Sequence, residues 1–178
     1  MPEMKKPMHS GIDTAAIRDA AQHIEDGAVT AGYRADREQI IKMLNDALAT
    51  ELVCILRYKR HYYTASGLQN GPIKAEFLQH AQDEQRHADQ LAERIVQLNG
   101  KPDLNPATLT ERSHAEYDDS DSIQSMVKAN LIAERVAIEA YRQMIEQIGE
   151  SDPTTLHMLT GIMAVEEEHA DDMRDLLA

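Results

Sequence analysis

Glu-x-x-His followed by Ala-Asp occurs twice in the chain, as Glu84-Gln85-Arg86-His87 and as Glu166-Glu167-Glu168-His169 with the two residues after each. A carboxylate and an imidazole three positions apart share one face if the segment is helical. Together they offer a divalent metal a hard oxygen and a nitrogen, without sulfur. Both pairs sit in apolar stripes. Phe77, Ala81, Ala88, Leu91 and Ile95 surround Glu84; Leu159, Ile162, Met163, Ala170 and Met173 surround Glu166. Two more acids interrupt such stripes. Glu51 lies among Leu44, Ala47, Leu48 and Ile55, and Glu134 among Val127, Leu131, Ala137 and Ile138. If these stripes face inward, four carboxylates and two imidazoles enter one core, where an unpaired carboxylate is costly. Cations relieve that cost, and six oxygen and nitrogen donors suit iron or manganese.

Helices must position these residues, and the pattern along the chain is helical nearly throughout. A short helix is expected from Asp13 to about Asp26, with Asp13 as N-cap and Ile17, Ala20, Ile24 and Ala28 on one face. GAVTAGYRAD reads as a linker, and residues 1–10 as disordered. Four long segments follow. The first runs from Arg37 to about Ser66. The second runs from Pro72 to Asn99-Gly100, the third from Ser122 to Gly149, and the fourth from Ser151-Asp152-Pro153 almost to Ala178. Between the second and third lies a polar connection of about twenty residues, long enough to cross the length of a bundle. The predicted fold is therefore all-α, a four-helix bundle over 37–178 with one long crossover, preceded by an extension at 1–36 with its short helix.

Register along the helices strengthens the case. Glu51 precedes a turn near Gln69 by about eighteen residues and Glu84 follows it by about fifteen. At roughly 1.5 Å per residue, antiparallel helices bring the two to nearly one height. Glu134 and Glu166 bracket the turn at Ser151 by about seventeen and fifteen residues. The intervals, 33 and 32 residues, make the chain two similar helix pairs.

These residues and intervals, with LATELVCILRYKRHYY in the first long helix, resemble the bacterioferritin branch of the ferritin-like superfamily over roughly Arg37 to Ala178. The resemblance implies a dinuclear iron ferroxidase centre within one subunit. Glu51 and His87 would be terminal ligands of one metal, Glu134 and His169 of the other, and Glu84 and Glu166 would bridge. Three departures matter. Gln85 stands where bacterioferritins carry a haem-ligating Met, so no haem is expected. The chain ends nine residues after His169, without a fifth helix. The N-terminal extension is long. The last two features are closer to twelve-subunit DNA-protection (Dps-like) miniferritins that keep a bacterioferritin-type centre, which implies a homododecamer taking Fe2+ with O2 or H2O2.

Supporting residues are weighed against plainer roles. Tyr58 and Tyr141 each lie seven residues after an inward Glu and would hydrogen-bond a metal-bound carboxylate. Asn130 would orient His87 or make an interhelical amide bond. His80 and Asp83 are an accessory metal candidate against a solvated face. Cys54 reads as a core residue, and Asp89 and Asp171 as surface acids. The remaining histidines, His9, His23, His61, His114 and His157, lack matched partners.

Bulk properties exclude several classes. A lone cysteine rules out a disulfide framework and Cys-based zinc. The first twenty residues have no apolar core of a signal peptide, and no run of eighteen apolar residues exists, so a cytoplasmic protein is expected. Net charge is −13, with Lys5-Lys6 as the one basic block, which argues against DNA binding. Other readings stay open: a manganese catalase or rubrerythrin-type peroxidase on the same bundle, a DNA-coating shell, or a structural bundle with solvated acids. The absence of a Cys-x-x-Cys module counts against rubrerythrin.

Overall fold

The computed structural model describes residues 11–67 and 70–178. Lys5-Lys6, the disorder expected at 1–10 and the turn centre at Gln69 lie outside the described residues. Within them the chain is helical, with no strand. The helices are α1 (Thr14–Asp19), α2 (Arg37–Thr64), α3 (Gly71–Gln97), α4 (Leu109–Arg112), α5 (Ile123–Ile148) and α6 (Pro153–Asp175).

Local chemistry sets the boundaries of the four long helices. The Asp36 carboxylate accepts from Gln39 N at 3.1 Å and starts α2. Ser122 Oγ does the same for Ser125 N in α5, and Asp152 for Thr155 N in α6. Proline opens α3 and α6, where its missing N–H is no loss. Asn99, at φ +61°, and Gly100 close α3; Gly149, at φ +51°, closes α5. Gly100 also permits a close approach, since a Cβ there would lie 2.9 Å from Ile41 Cγ2.

Short turns make α2 antiparallel to α3 and α5 antiparallel to α6, the two tightest pairs, whereas the long crossover returns the chain to the end where α3 began, so α3 and α5 run parallel. The crossover climbs the side of α2. Asp103 N donates to Asn45 Oδ1 at 2.7 Å near its start, Arg57 reaches Glu116 O at 3.2 Å, and Arg60 meets Asp121 at 3.1 Å near its end. It is more ordered than a polar linker: a 3-10 turn at Pro106–Thr108 and α4 lie within it.

Two apolar clusters fill the bundle. One contains Ile40, Leu44, Leu48, Leu91, Ile95, Ile148, Leu159 and Ile162. The other, toward the opposite end, contains Tyr58, Phe77, Ala81, Met126, Val127 and Met173. The six singled-out Glu and His residues occupy the layer between.

The N-terminal extension departs from expectation. Asp13 does cap α1, accepting from Ala15 N and Ala16 N. The helix stops after six residues, however, and His23 and Gly27 take positive φ around a 3-10 turn at Ile24–Asp26. Ile17 and Ile24 are 60% and 84% exposed, so the expected apolar face is not packed. So short a helix has too few hydrogen bonds to persist without a packing partner. The presumed linker is what docks instead: Val29, Tyr33 and Ala35 pack on the first cluster, and Tyr33 OH donates to Asp152 at 2.8 Å.

Candidate metal centre

Each long helix brings one acid into the central layer: Glu51 from α2, Glu84 from α3, Glu134 from α5 and Glu166 from α6. All four are at most 1% exposed. His87 and His169 stand beside them at 4% and 3%. Their ligand atoms form two overlapping groups, each within 4.8 Å: Glu51, Glu84, His87 and Glu166, and Glu84, Glu134, Glu166 and His169. Glu84 and Glu166 belong to both.

The contacts follow the same division. His87 Nδ1 lies 2.8 Å from Glu166, 3.5 Å from Glu51 and 3.5 Å from Glu84. His169 Nδ1 lies 3.5 Å from Glu166, 3.7 Å from Glu84 and 4.0 Å from Glu134. These ion-pair approaches leave most of the ligand atoms without a hydrogen-bond partner. Among the described residues, nine buried side-chain polar atoms lack a hydrogen-bond partner, and seven belong to this layer. They include both His Nδ1 atoms, both oxygens of Glu166 and one oxygen from each other Glu. Buried polar atoms are almost always satisfied, so such a concentration is what a cation-binding site leaves when only its protein atoms are considered. The donor set therefore fits a pair of divalent ions.

Electrostatics agree. Burial, and then the neighbouring Glu84 charge, push Glu51 up to about 8, and burial raises Glu134 well above the carboxylate range. Burial opposes charge on the imidazoles as well, yet the carboxylates around them push His87 up to about 12 and His169 to about 10. Glu84 and Glu166 run the other way: burial opposes their charge, yet contacts that include both imidazoles hold them below the usual carboxylate range.

Two phenols brace the layer crosswise. Tyr58 of α2 donates to Glu134 of α5, and Tyr141 of α5 donates to Glu51 of α2. Each phenol thus serves the acid of the other helix pair rather than its own. His80 Nδ1 lies 3.0 Å from Tyr58 OH, and the His80 ring stacks on His169 at 3.8 Å between centroids.

The structure does not bring His80 and Asp83 into one group. Asp83 pairs with Arg86, accepts from Gln79 at 3.1 Å and faces His169 Nε2 at 3.5 Å, whereas His80 Nε2 faces Glu76 and Asp172. Asn130 does not reach His87. It accepts from Arg57 Nε at 2.8 Å and meets His61 at 3.2 Å, completing a buried network that holds the crossover through Glu116 and Asp118. Cys54 is buried against Ala115 and Ala133; Asp89 and Asp171 are exposed beside Gln85 and Arg174. Two groupings escaped the sequence reading. Glu76 and Asp172 were detectable as His80 minus four and His169 plus three. The buried Arg94–Asp152 pair, at 2.9 Å, had no signal beyond Asp152 as a cap.

A family model described as a ferritin-like domain matches residues 41–178. The chain belongs to the ferritin-like family. Among its ferritin-like relatives is a bacterioferritin from Desulfovibrio desulfuricans, 30% identical over 78% of this chain and 75% of that protein. A DNA protection during starvation protein from Halobacterium salinarum is 30% identical over 80% and 81%. Among solved structures, the bacterioferritin-related protein of Bacteroides fragilis, described as a dodecameric thioferritin, is 32% identical with a TM-score of 0.76, covering 80% of this chain and 86% of that one. The expected ferritin-like, all-helical architecture is thus met, with relatives on both the bacterioferritin and Dps sides.

Proposed function

We propose that this ferritin-like chain is a ferroxidase that detoxifies and stores iron, with the 37–178 bundle as its working part. One observation carries the reading: seven unsatisfied buried donor atoms from six residues converge in a single layer, with Glu84 and Glu166 common to both halves. Glu51 and His87 would hold one Fe2+, Glu134 and His169 the other, and Glu84 and Glu166 would bridge them. Fe2+ is the substrate. Two Fe2+ give one electron each to O2, which takes up two protons and leaves as H2O2; with H2O2 as oxidant, two protons are taken up and two waters form.

The chain's own residues supply position and charge. Bridging carboxylates keep two like-charged ions close, and the flanking apolar clusters hold the ligand helices in register. Tyr58 and Tyr141 fix the orientation of Glu134 and Glu51 by a hydrogen bond to one oxygen of each, which leaves the other oxygen for a metal. The product is proposed to collect as ferric mineral inside a homododecameric shell in the cytoplasm. Manganese would fit the same donors and is the alternative metal; no haem is required by this reading.

Stopped-flow oxidation of Fe2+ tests it. A fast phase that saturates at about two Fe2+ per chain is expected, as a two-metal site requires. A rate no faster than buffer, with either oxidant, would remove the ferroxidase reading.

A further inference from the structure

Outside the central layer, one imidazole faces two carboxylates that the dinuclear reading does not use. His80 is 1% exposed, and its Nε2 points at Glu76 Oε1, 3.4 Å away, and Asp172 Oδ2, 3.5 Å away. The three ligand atoms lie within 4.8 Å of one another. A hydrogen-bond chain fixes what Nε2 presents. The single proton of Tyr58 OH goes to Glu134, so the phenol oxygen accepts at its other contact, from His80 Nδ1–H at 3.0 Å. That tautomer leaves Nε2 as a bare lone pair, and Nε2 makes no hydrogen bond to either carboxylate. The Nε2 lone pair and two carboxylate oxygens therefore converge on one point.

We infer that Glu76, His80 and Asp172 form a third divalent-cation site, separate from the dinuclear centre and open to solvent, which loads Fe2+ before it moves inward. Two oxygens and one nitrogen, with water completing the shell, suit Fe2+, Mn2+, Co2+ or Zn2+. Access is direct, since the Glu76 and Asp172 side chains are 39% and 53% exposed. The inward path is short. His80 stacks on His169 and shares one ligand group with Glu134 and His169. His80 is thus the one residue of the outer group that touches the central layer. The loading role rests on the ferroxidase reading; the site itself rests on the geometry above.

Equilibrium dialysis of the full-length protein against Co2+, with metal counted per chain, separates the two. Glu76→Gln/Asp172→Asn alters two surface side chains and leaves the core intact. It should bind about one Co2+ per chain fewer than the unaltered protein. The same count in both would overturn the site. Loss of all tight Co2+ would also overturn it as a separate site, placing these residues in the centre. Glu84→Gln/Glu166→Gln should show the reverse, keeping the outer ion and losing the inner two. If that variant keeps its full count, the dinuclear reading fails while the first comparison still decides the outer site. In Fe2+ oxidation, Glu76→Gln/Asp172→Asn should lower the initial rate severalfold; an unchanged rate would overturn the loading role.

Discussion

Glu84 and Glu166 face both imidazoles, so each is shared between two groups and cannot be replaced by either neighbour. Their joint replacement by Gln should abolish the fast phase of Fe2+ oxidation. In thermal melts the metal-free variant should be less stable than the unaltered chain, because burial opposes the charge of both acids yet their contacts with His87 and His169 hold them below the usual carboxylate range, and the replacement leaves two buried imidazoles without those partners. It should also lose the rise in Tm with added metal, which for one site at a hundredfold excess over Kd amounts to about 2.7 kcal/mol. Tyr58→Phe and Tyr141→Phe should act more gently, lowering metal affinity or oxidation rate by about 10–100-fold while the fold survives. The six central residues were legible because helical period and turn position alone set their face and height. The phenols' partners were not, since a contact from α2 to α5 depends on how two helix pairs dock. His80 and Asp83 show the same limit. Three residues apart on one helix, they are divided by Arg86, which takes Asp83, and by Asp172 from α6, which faces His80.

At the level of elements, the α5–α6 turn is tied to α3 and to the N-terminal segment through Asp152. That carboxylate caps α6, pairs with Arg94 and accepts from Tyr33 and Thr155, at 2% exposure. Asp152→Ala leaves Arg94 buried without its partner and should destabilise the fold by about 3–5 kcal/mol, read by chemical denaturation. Burial works against the Asp152 charge, but its hydrogen bonds from Thr155, Tyr33 and Arg94 hold it below the usual carboxylate range. A depressed folded value gives stability that is present above the unfolded value of about 3.9 and lost as pH falls through the folded one. The gap between the unaltered chain and Asp152→Asn should therefore narrow in acid below about pH 4 and stay constant between pH 5 and 7. Gly100→Ala should cost about 1–3 kcal/mol, since the added methyl meets the stiff side chains of Ile41 and Ile95. Helix boundaries were readable because caps, prolines and glycines are local signals. The failure of the expected Ile17–Ile24 face was not, because an apolar period says which residues would bury together and nothing about whether a surface exists to receive them.

At the level of the whole molecule, a polar layer lies between two apolar clusters, so the bundle is stapled at both ends around a site it must hold open. A net charge of −13 suits the attraction of cations better than of nucleic acid, and so supports the proposed iron handling over a DNA coat. Light scattering should give a particle of about twelve chains, as in the dodecameric relative from Bacteroides fragilis. Gel shifts at physiological salt should show no retarded DNA; retardation would revive the protective-coat reading that some relatives' names carry. The most direct test of the central claim is anomalous diffraction from iron-soaked crystals. Two peaks should appear in the central layer, about 3.5–4 Å apart, one beside His87 and one beside His169, with Glu84 and Glu166 between them. A central layer without an anomalous peak, at iron concentrations that fill surface sites, would contradict the account.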